Sequence, residues 1–298
     1  KSIVKDIKKQ EMLSWVKIMF SPEFREKFPS KKAVQKLNEK ERKIFEELFI
    51  MIPLNYIYWR DCLKHEQLFP TTDQKRNPIC WAHAIASLIH LTLRRIISRN
   101  PPAFEEIKND LVNEFGCHGM FISPVLDKVL KYPKYNILQY KEVKEEELNV
   151  FNPYGSYHLY IAGFYLTGEE WNDFSNFFAD PKNKKKVLTR KDLQITQPDE
   201  KYKKEAGGHE VVLIDHDSTS LTFLNSWGKD WGDEGKFTIE RGAIKMEYHD
   251  IYWYDCDLSN EERLCFENRR QNAIEAFYQI LEYTSLLSTI EKNDENSE

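Results

Sequence analysis

The chain has 298 residues, which is enough for one large domain or two modest ones with a full hydrophobic core. Its composition, 41% hydrophobic and 31% charged, is typical of an ordered globular protein. The net charge of −5 gives no reason to expect nucleic acid as a partner. No apolar run is long enough to predict a membrane-spanning helix, so we expect no membrane partner.

The cysteines are widely spaced, and no Cys-x-x-Cys pair occurs among them. They are Cys62, Cys80, Cys117, Cys256 and Cys265. This spacing does not predict a zinc site, and we expect neither a metal nor another cofactor. The odd number argues against a fully paired secreted framework and favours a reducing intracellular compartment. Because the sequence begins at Lys1 rather than Met, a trimmed signal stays open, and with it secretion or a lysosome-like compartment.

Residues 1–52 are predicted to form a helical N-terminal extension, in which Ser30 caps the second helix. The apolar stripe of that helix is Val34, Leu37, Ile44, Phe45 and Leu48. Two interpretations are open. The extension either packs on the main domain as a pair of helices or covers the active site as an inhibitory pro-segment.

A mostly apolar segment runs from Cys80 to Asn100 and predicts a helix that is buried on most of its faces. Asn77 is the predicted cap, and Pro78 suits the first helical position. Cys80 would then lie in the first turn, where free N–H groups and the helix dipole favour a thiolate. Alone, this placement fits a reactive cysteine and a buried structural one about equally.

Helices dominate the first half of the chain and strands the second, which predicts an α+β protein with two lobes. Further helices are predicted at 103–114, from about 124, at 169–178 and within 259–298, and strands at 157–165, 210–215, 221–224, 236–240 and 251–254. Residues 116–119 form a predicted tight turn. Residues 180–203 are predicted to be a polar surface loop, whose lysines at 182–186 are either solvated or a docking patch for an acidic partner.

Three residues outside the Cys80 helix supply what a cysteine nucleophile needs. His209 lies at the start of an apolar strand, behind two glycines, and is a candidate base. Asn225 follows the next strand and offers an amide to orient His209, with Trp227 close enough to shield that contact from water. Gln74, six residues before Cys80, offers a side-chain amide to an oxyanion.

These residues, at this spacing, resemble the papain-like cysteine proteases of the cathepsin family. His209 and Asn225 lie 129 and 145 positions after Cys80, and the family's range is about 130–150. The matching segments are Gln74…Cys80-Trp81-Ala82, Gly116-Cys117-His118-Gly119, Pro53…Trp59-Arg60, and Asn225-Ser226-Trp227-Gly228-x-x-Trp231-Gly232-x-x-Gly235 followed by Ile239-Glu240-Arg241-Gly242. The resemblance covers roughly residues 53–257.

The resemblance implies a two-lobe fold, with a helical left lobe and a β-barrel-like right lobe, over residues 53–258. Residues 259–298 would form a C-terminal helical extension. Cys80 would be the nucleophile, His209 the general base and acid, and Asn225 the residue that holds the imidazole under the cover of Trp227. Gln74 and the Cys80 backbone N–H would form the oxyanion hole.

The resemblance also assigns residues to substrate binding. They are Gly119 and Met120 through their backbone, Gly208 through its carbonyl, and Phe121, Ile122 and Glu210 as the lining of the pocket for the second residue before the cleaved bond. Glu210 is either a polar neighbour there or the source of a preference for a basic residue.

Four features depart from the family pattern. Asn77 replaces the cysteine that would pair with the equivalent of Cys117, so we expect Cys117 to be a free thiol. Pro78 and Ile79 replace a glycine and a small residue before the nucleophile, and Met120 replaces a glycine of the binding turn. Residues 1–52 also lack the family's long pro-segment pattern.

The sequence therefore predicts thiol-dependent hydrolysis of peptide bonds through a Cys-His-Asn site and a thioester intermediate. The expected partners are a peptide or protein substrate and, as a candidate, a protein inhibitor. Two alternatives remain. One is another acyl-transfer enzyme on the same site, such as a deamidase, transpeptidase or isopeptidase. The other is a catalytically silent binding protein.

Overall fold

The computed structural model describes residues 28–51, 71–96, 99–148, 159–193 and 207–295. The chain divides into two compact units. The first consists of Lys1–Asp61, Phe151–Tyr157 and Asn260–Glu298, and the second of Cys62–Val150 and His158–Ser259. The boundaries predicted from the sequence, 1–52, 53–258 and 259–298, stay a prediction. Cys62 and the segment from Pro53 to Arg60 lie outside the described residues.

The described residues contain both helices and strands, which confirms the mixed character predicted from the sequence. The helices are α1 (Lys31–Gln35), α2 (Glu39–Glu46, continued by a π-helical turn at Glu47–Met51), α3 (Cys80–Arg94), α4 (Phe104–Phe115), α5 (Ile122–Val129), α6 (Gly168–Ala179) and α7 (Asn260–Glu295). The strands are β1 (Gln139–Val143), β2 (Tyr160–Leu166), β3 (Val187–Leu188), β4 (Gly207–His216), β5 (Ser220–Leu224), β6 (Lys236–Glu240) and β7 (Met246–Tyr252). No helix in these ranges has the length and apolar character that crossing a membrane requires.

The first unit is helical and has its own small core. That core consists of the buried residues Val34, Ile50, Ile274, Phe277 and Tyr278. Ser30 caps α1 as predicted, and the side chain of Asn38 starts α2 in a capping box with Glu41. The predicted stripe is wrong at Leu37 and Ile44, whose side chains are exposed.

The helix that carries Cys80 begins later and ends earlier than the sequence suggested. Its first residue is Cys80 and its cap is Ile79, so Pro78 stands outside the helix. Asn77 does not cap it, because the cap position is two residues further on, at Ile79. The Asn77 carbonyl instead accepts the side-chain N–H of Gln74 at 3.0 Å. The helix ends at Arg94 rather than Asn100.

The strands of the second unit form one sheet in the order β1-β7-β2-β4-β5-β6-β3. The neighbours are antiparallel except β3 and β6. The predicted last strand, 251–254, is instead β7 at Met246–Tyr252. The sequence did not predict β1, and it placed β3 inside a loop.

The sheet is covered by apolar residues on both faces. On one face, α3 contacts β4, β2 and β7, and most of its side chains are buried. On the other face lies a core rich in aromatic residues, which includes Tyr160, Phe164, Phe174, Phe178, Phe223, Phe237 and Tyr248. Burial of this much apolar surface is the main source of stability for the unit and fixes β4 against the start of α3.

Candidate active site

Cys80 is the first residue of α3 and is partly buried. The backbone N–H groups of Glu210, of Trp81 and of Cys80 itself act on its sulfur in the direction that lowers the thiol pKa. Glu210 belongs to β4 and directly follows His209. The structure therefore brings the thiol to the strand that carries the predicted base.

The two other predicted residues, Gln74 and Asn225, lie in loops that are joined by hydrogen bonds. The Gln74 N–H donates to the Ser226 carbonyl at 2.8 Å, and the Gly228 N–H donates to the Thr72 carbonyl at 2.9 Å. The Ser226 hydroxyl donates to Oε1 of Gln74 at 2.6 Å. The loop that precedes Cys80 is thus held against the loop that follows Asn225.

The side-chain amide of Gln74 is oriented at both ends. Its Oε1 accepts from Ser226, and one N–H of Nε2 donates to the Asn77 carbonyl at 3.0 Å. A glutamine amide carries two N–H donors, so the second remains for another acceptor. This is the geometry that a preorganised oxyanion donor needs.

His209 and Asn225 are buried together and hydrogen-bonded. Nε2 of His209 lies 2.7 Å from Oδ1 of Asn225, and the two residues are 4% and 1% exposed. Oδ1 of Asn225 also accepts the backbone N–H of Ser226 at 2.8 Å. Because Oδ1 can only accept, Nε2 of the imidazole must carry the proton, which leaves the lone pair on Nδ1.

Aromatic rings enclose the imidazole. The ring of Trp227 lies 4.8 Å from that of His209, those of Phe164 and Trp171 lie 5.7 and 5.9 Å away, and the last two present T-shaped contacts. Trp171 Nε1 also donates to the Gly207 carbonyl at 3.0 Å, so it fixes the start of β4. The predicted cover by Trp227 is present, and Phe164 and Trp171 extend it.

The predicted substrate-binding turn is held by the residue next to the nucleophile. The indole N–H of Trp81 donates to the His118 carbonyl at 2.8 Å, and its ring meets Phe115 edge-on. Gly119 is exposed, and nothing would meet a side chain added there, so its backbone is open to a ligand. Cys117 is a free, exposed thiol, as expected.

The remaining predicted substrate-binding residues differ in exposure. Phe121 is 70% exposed, Met120 is half-buried, and Ile122 is buried in the first turn of α5. Gly208 is exposed, and a Cβ there would come within 2.9 Å of the Tyr165 ring, so a glycine is needed. Their roles in binding stay a prediction.

The protonation states differ from the sequence prediction. Burial raises the pKa of the Cys80 thiol. The backbone N–H of Glu210 acts to lower this pKa, and the negative charge of Glu210 acts to raise it further. Burial lowers the pKa of His209 to about 4, although the bond to Asn225 acts in the opposite direction. The predicted depressed thiol pKa is therefore wrong, because burial outweighs the helix terminus. Both pKa shifts favour the uncharged forms at neutral pH, the thiol of Cys80 and the neutral imidazole of His209.

Sequence reasoning missed three contributors to the site. Ser226 orients Gln74, and Phe164 and Trp171 enclose His209. The aromatic helix at 169–178 was the signal for Trp171, and Ser226 lies within a segment that matched the family. Phe164 is placed beside His209 by the register of β2 and β4, which the sequence does not show. Among the residues that the structure describes, no group of three metal-ligating side chains lies together.

No protein-family model matches the chain, and no curated protein matches it. Among solved structures, xylellain, a cysteine protease from Xylella fastidiosa, aligns with 62% of this chain and 82% of its own at 16% identity and a TM-score of 0.39. Procathepsin B S9 from Trypanosoma congolense aligns with 65% of this chain and 74% of its own at 16% identity and a TM-score of 0.41. The Carica candamarcensis cysteine protease CMS1MS2, in complex with E-64, aligns with 62% of this chain and 92% of its own at 15% identity and a TM-score of 0.38. These TM-scores do not establish a common fold, so the function has to follow from the residues of this chain.

Proposed function

We propose that this protein hydrolyses peptide bonds in peptides or proteins, with Cys80 as the nucleophile and a thioester as the intermediate. The observation that carries the proposal is the enclosed hydrogen bond between His209 and Asn225. His209 lies on β4, and the backbone N–H of the next residue on that strand, Glu210, acts on the Cys80 sulfur. A papain-like arrangement of a helical left lobe and a barrel-like right lobe is part of the proposal.

In the first step, the Cys80 sulfur attacks the carbonyl carbon of the substrate and forms a C–S bond. The thiol proton passes to Nδ1 of His209, whose lone pair is free because Asn225 fixes the proton on Nε2. The oxyanion accepts the free N–H of Gln74 and the backbone N–H of Cys80. Each such donor contributes about 10²–10³ in rate.

In the second step, the C–N bond breaks and the imidazolium gives its proton to the leaving amine. Water then attacks the thioester, its proton passes to Nδ1 of His209, and that proton returns to the departing Cys80 thiolate. The products are a carboxylic acid, an amine and the original thiol. Because the resting pair is neutral, the proton transfer accompanies the attack rather than preceding it.

The proposal is tested by mass spectrometry of the products from a mixture of peptides incubated with the protein, with and without added glycinamide. Peptides with new free carboxyl ends, lost in Cys80→Ala and kept in the exposed-thiol control Cys117→Ala, are the expected result. Products that form only with glycinamide would identify an acyl-transferase instead. No product in either case would overturn the proposal in favour of a binding protein.

A further inference from the structure

A chain of polar contacts joins the start of α5 to two strands at one edge of the sheet. Nε2 of His249 on β7 lies 2.9 Å from the hydroxyl oxygen of Ser123, and that hydroxyl donates to Oε1 of Glu142 on β1 at 3.2 Å. Glu142 and His249 are directly paired, so their side chains project from the same face of the sheet. Ser123 is the second residue of α5 and contacts both of them.

The chemistry of the three groups fixes the direction of these hydrogen bonds. A carboxylate only accepts, so the single hydroxyl proton of Ser123 points to Glu142. Nε2 of His249 must then carry a proton and donate it to the Ser123 oxygen. Burial lowers the pKa of His249, against the charges of Glu142 and Glu247, and so favours the neutral imidazole at neutral pH.

The imidazole of His249 is a polar group in a place where an apolar side chain would be easier to bury. His249 is 5% exposed, and its Nδ1 is buried without a hydrogen-bond partner among the described residues. Burial of an unpaired nitrogen costs free energy that an apolar residue would avoid. The hydrogen bond to Ser123 is therefore what the structure gains from a histidine here.

A second polar contact holds the same helix to the same edge strand. The Tyr140 hydroxyl on β1 donates to Oδ1 of Asp127 on α5 at 2.8 Å, and the ring of Tyr140 lies 6.2 Å from that of His249. Asp127 follows Ser123 by four residues, so both lie on one face of the helix. We call Ser123, Asp127, Tyr140, Glu142 and His249 the α5 clamp.

The α5 clamp holds the helix that directly follows the predicted substrate-binding turn. Phe121 is the N-cap residue of α5, and its ring is 70% exposed, so packing on its own chain does little to orient it. On the other side of the turn, the indole of Trp81 fixes the His118 carbonyl. Residues 119–121 thus lie between a contact to the residue beside the nucleophile and the α5 clamp.

Apolar packing alone does not set the position of this turn. Val125 and Leu126 of α5 are buried, but apolar burial is non-directional and leaves the rotation of a helix poorly fixed. The hydrogen bonds of Ser123 are directional and one of them ends on a charged acceptor, which makes it stronger than a neutral bond. They fix the first turn of α5 and, with it, the backbone that leads into it.

We infer that Ser123, held by His249 and Glu142, is a positioning residue that places residues 119–121 to bind the substrate. It acts through the backbone at the start of α5 and does not touch the reacting atoms, so it determines the affinity for the substrate rather than the rate of the chemical step. This inference rests on the proposed function and adds a determinant of substrate binding outside the Cys-His-Asn site.

Steady-state kinetics on a cleaved peptide test the inference. Ser123→Ala should raise KM by about tenfold, as expected for loss of a charge-assisted hydrogen bond, and should change kcat much less. Ser123→Thr, which keeps the hydroxyl, should restore most of the affinity. Ser175→Ala, at a half-buried serine of α6, is the matched control and should behave like the wild type. No change in KM, or a change in kcat that equals or exceeds it, would overturn the inference and leave the proposed function standing.

A second measurement needs no turnover. The free thiol of Cys117, in the same turn, is labelled with a trifluoroacetonyl group in the full chain and observed by fluorine NMR. The resonance that is absent in Cys117→Ala identifies the label. A shifted or broadened resonance in Ser123→Ala, restored in Ser123→Thr and unchanged in Ser175→Ala, supports the inference even if no peptide is cleaved. An unmoved resonance in Ser123→Ala counts against it whether or not the protein is a hydrolase.

Discussion

Nε2 of His209 lies 2.7 Å from Oδ1 of Asn225, an oxygen that also accepts the Ser226 N–H at 2.8 Å. With two donors fixed on it, this oxygen holds the asparagine amide in one orientation. The imidazole must then donate from Nε2, and the lone pair of Nδ1 is left to receive the thiol proton. Asn225 therefore selects the tautomer on which the proposed chemistry depends.

Asn225→Ala should lower kcat for peptide cleavage by about 10²-fold, because the imidazole loses both its orientation and its tautomer. Asn225→Asp, which retains an acceptor next to Nε2, should keep more of the activity. Both are measured by steady-state kinetics, with the exposed Asn113→Ala as the control. Equal activity in Asn225→Ala and the wild type would show that the contact is structural only.

The rate at which iodoacetamide alkylates Cys80 should show the pH dependence of a thiol whose pKa is raised. Its rate should rise only above the usual thiol range, because burial raises its pKa and no imidazolium stabilises the thiolate in the resting site. Cys117, which is exposed, serves as the internal reference in the same mass spectra. A plateau in the Cys80 rate between pH 5 and 8 would instead demonstrate a thiolate–imidazolium pair.

Trp171→Ala should raise the pKa of His209 from about 4 towards its usual 6.5, because water would reach the imidazole. The acid limb of the cleavage rate should move to higher pH in parallel. Trp171→Phe keeps a ring there and loses only the bond to the Gly207 carbonyl, so its shift should be smaller. The pKa is read from the NMR shifts of the imidazole, and an unmoved value in Trp171→Ala would mean that Trp171 does not exclude water.

Glu210 should make the protein less stable as the pH rises. Burial raises its pKa from 4.5 to about 8, so between these values the folded state holds a proton that the unfolded chain has lost. Above pH 6.5, where His209 is neutral in both the folded and the unfolded chain, the urea midpoint should therefore fall as the pH increases to about 8, and Glu210→Gln should flatten this dependence. Glu240→Gln, at an exposed position, should behave like the wild type. A parallel decline in Glu210→Gln and the wild type would place the titrating group elsewhere.

Much of the architecture could be predicted from local patterns. The apolar segment after Cys80 predicted a buried helix, and short apolar segments divided by turns predicted β4, β5 and β6 close to their observed bounds. β1 was missed because its residues, Gln139–Val143, are mostly exposed and show no apolar alternation. An edge strand of this kind owes its structure to its partner, β7, rather than to its own sequence.

The composition of the site was easier to predict than its electrostatics. The spacing of Gln74, Cys80, His209 and Asn225 indicated the chemistry, but the thiol pKa depends on burial that only the packing of α3 on the sheet reveals. Likewise, Phe164 became part of the site only once its register opposite His209 was known. The predicted cap at Asn77 was wrong because residues 74–77 form a turn and the helix starts only after Ile79.

The central claim, that Cys80 is a nucleophile served by His209, is tested most directly by mass spectrometry after a short exposure to an epoxysuccinyl peptide inhibitor. We expect one adduct, mapped to Cys80, which is absent in Cys80→Ala and forms much more slowly in His209→Ala. An adduct that appears only after residues 1–52 are removed would support both the nucleophile and an inhibitory role for that segment. No adduct at Cys80 in either form, or equal labelling of Cys117, would contradict the account.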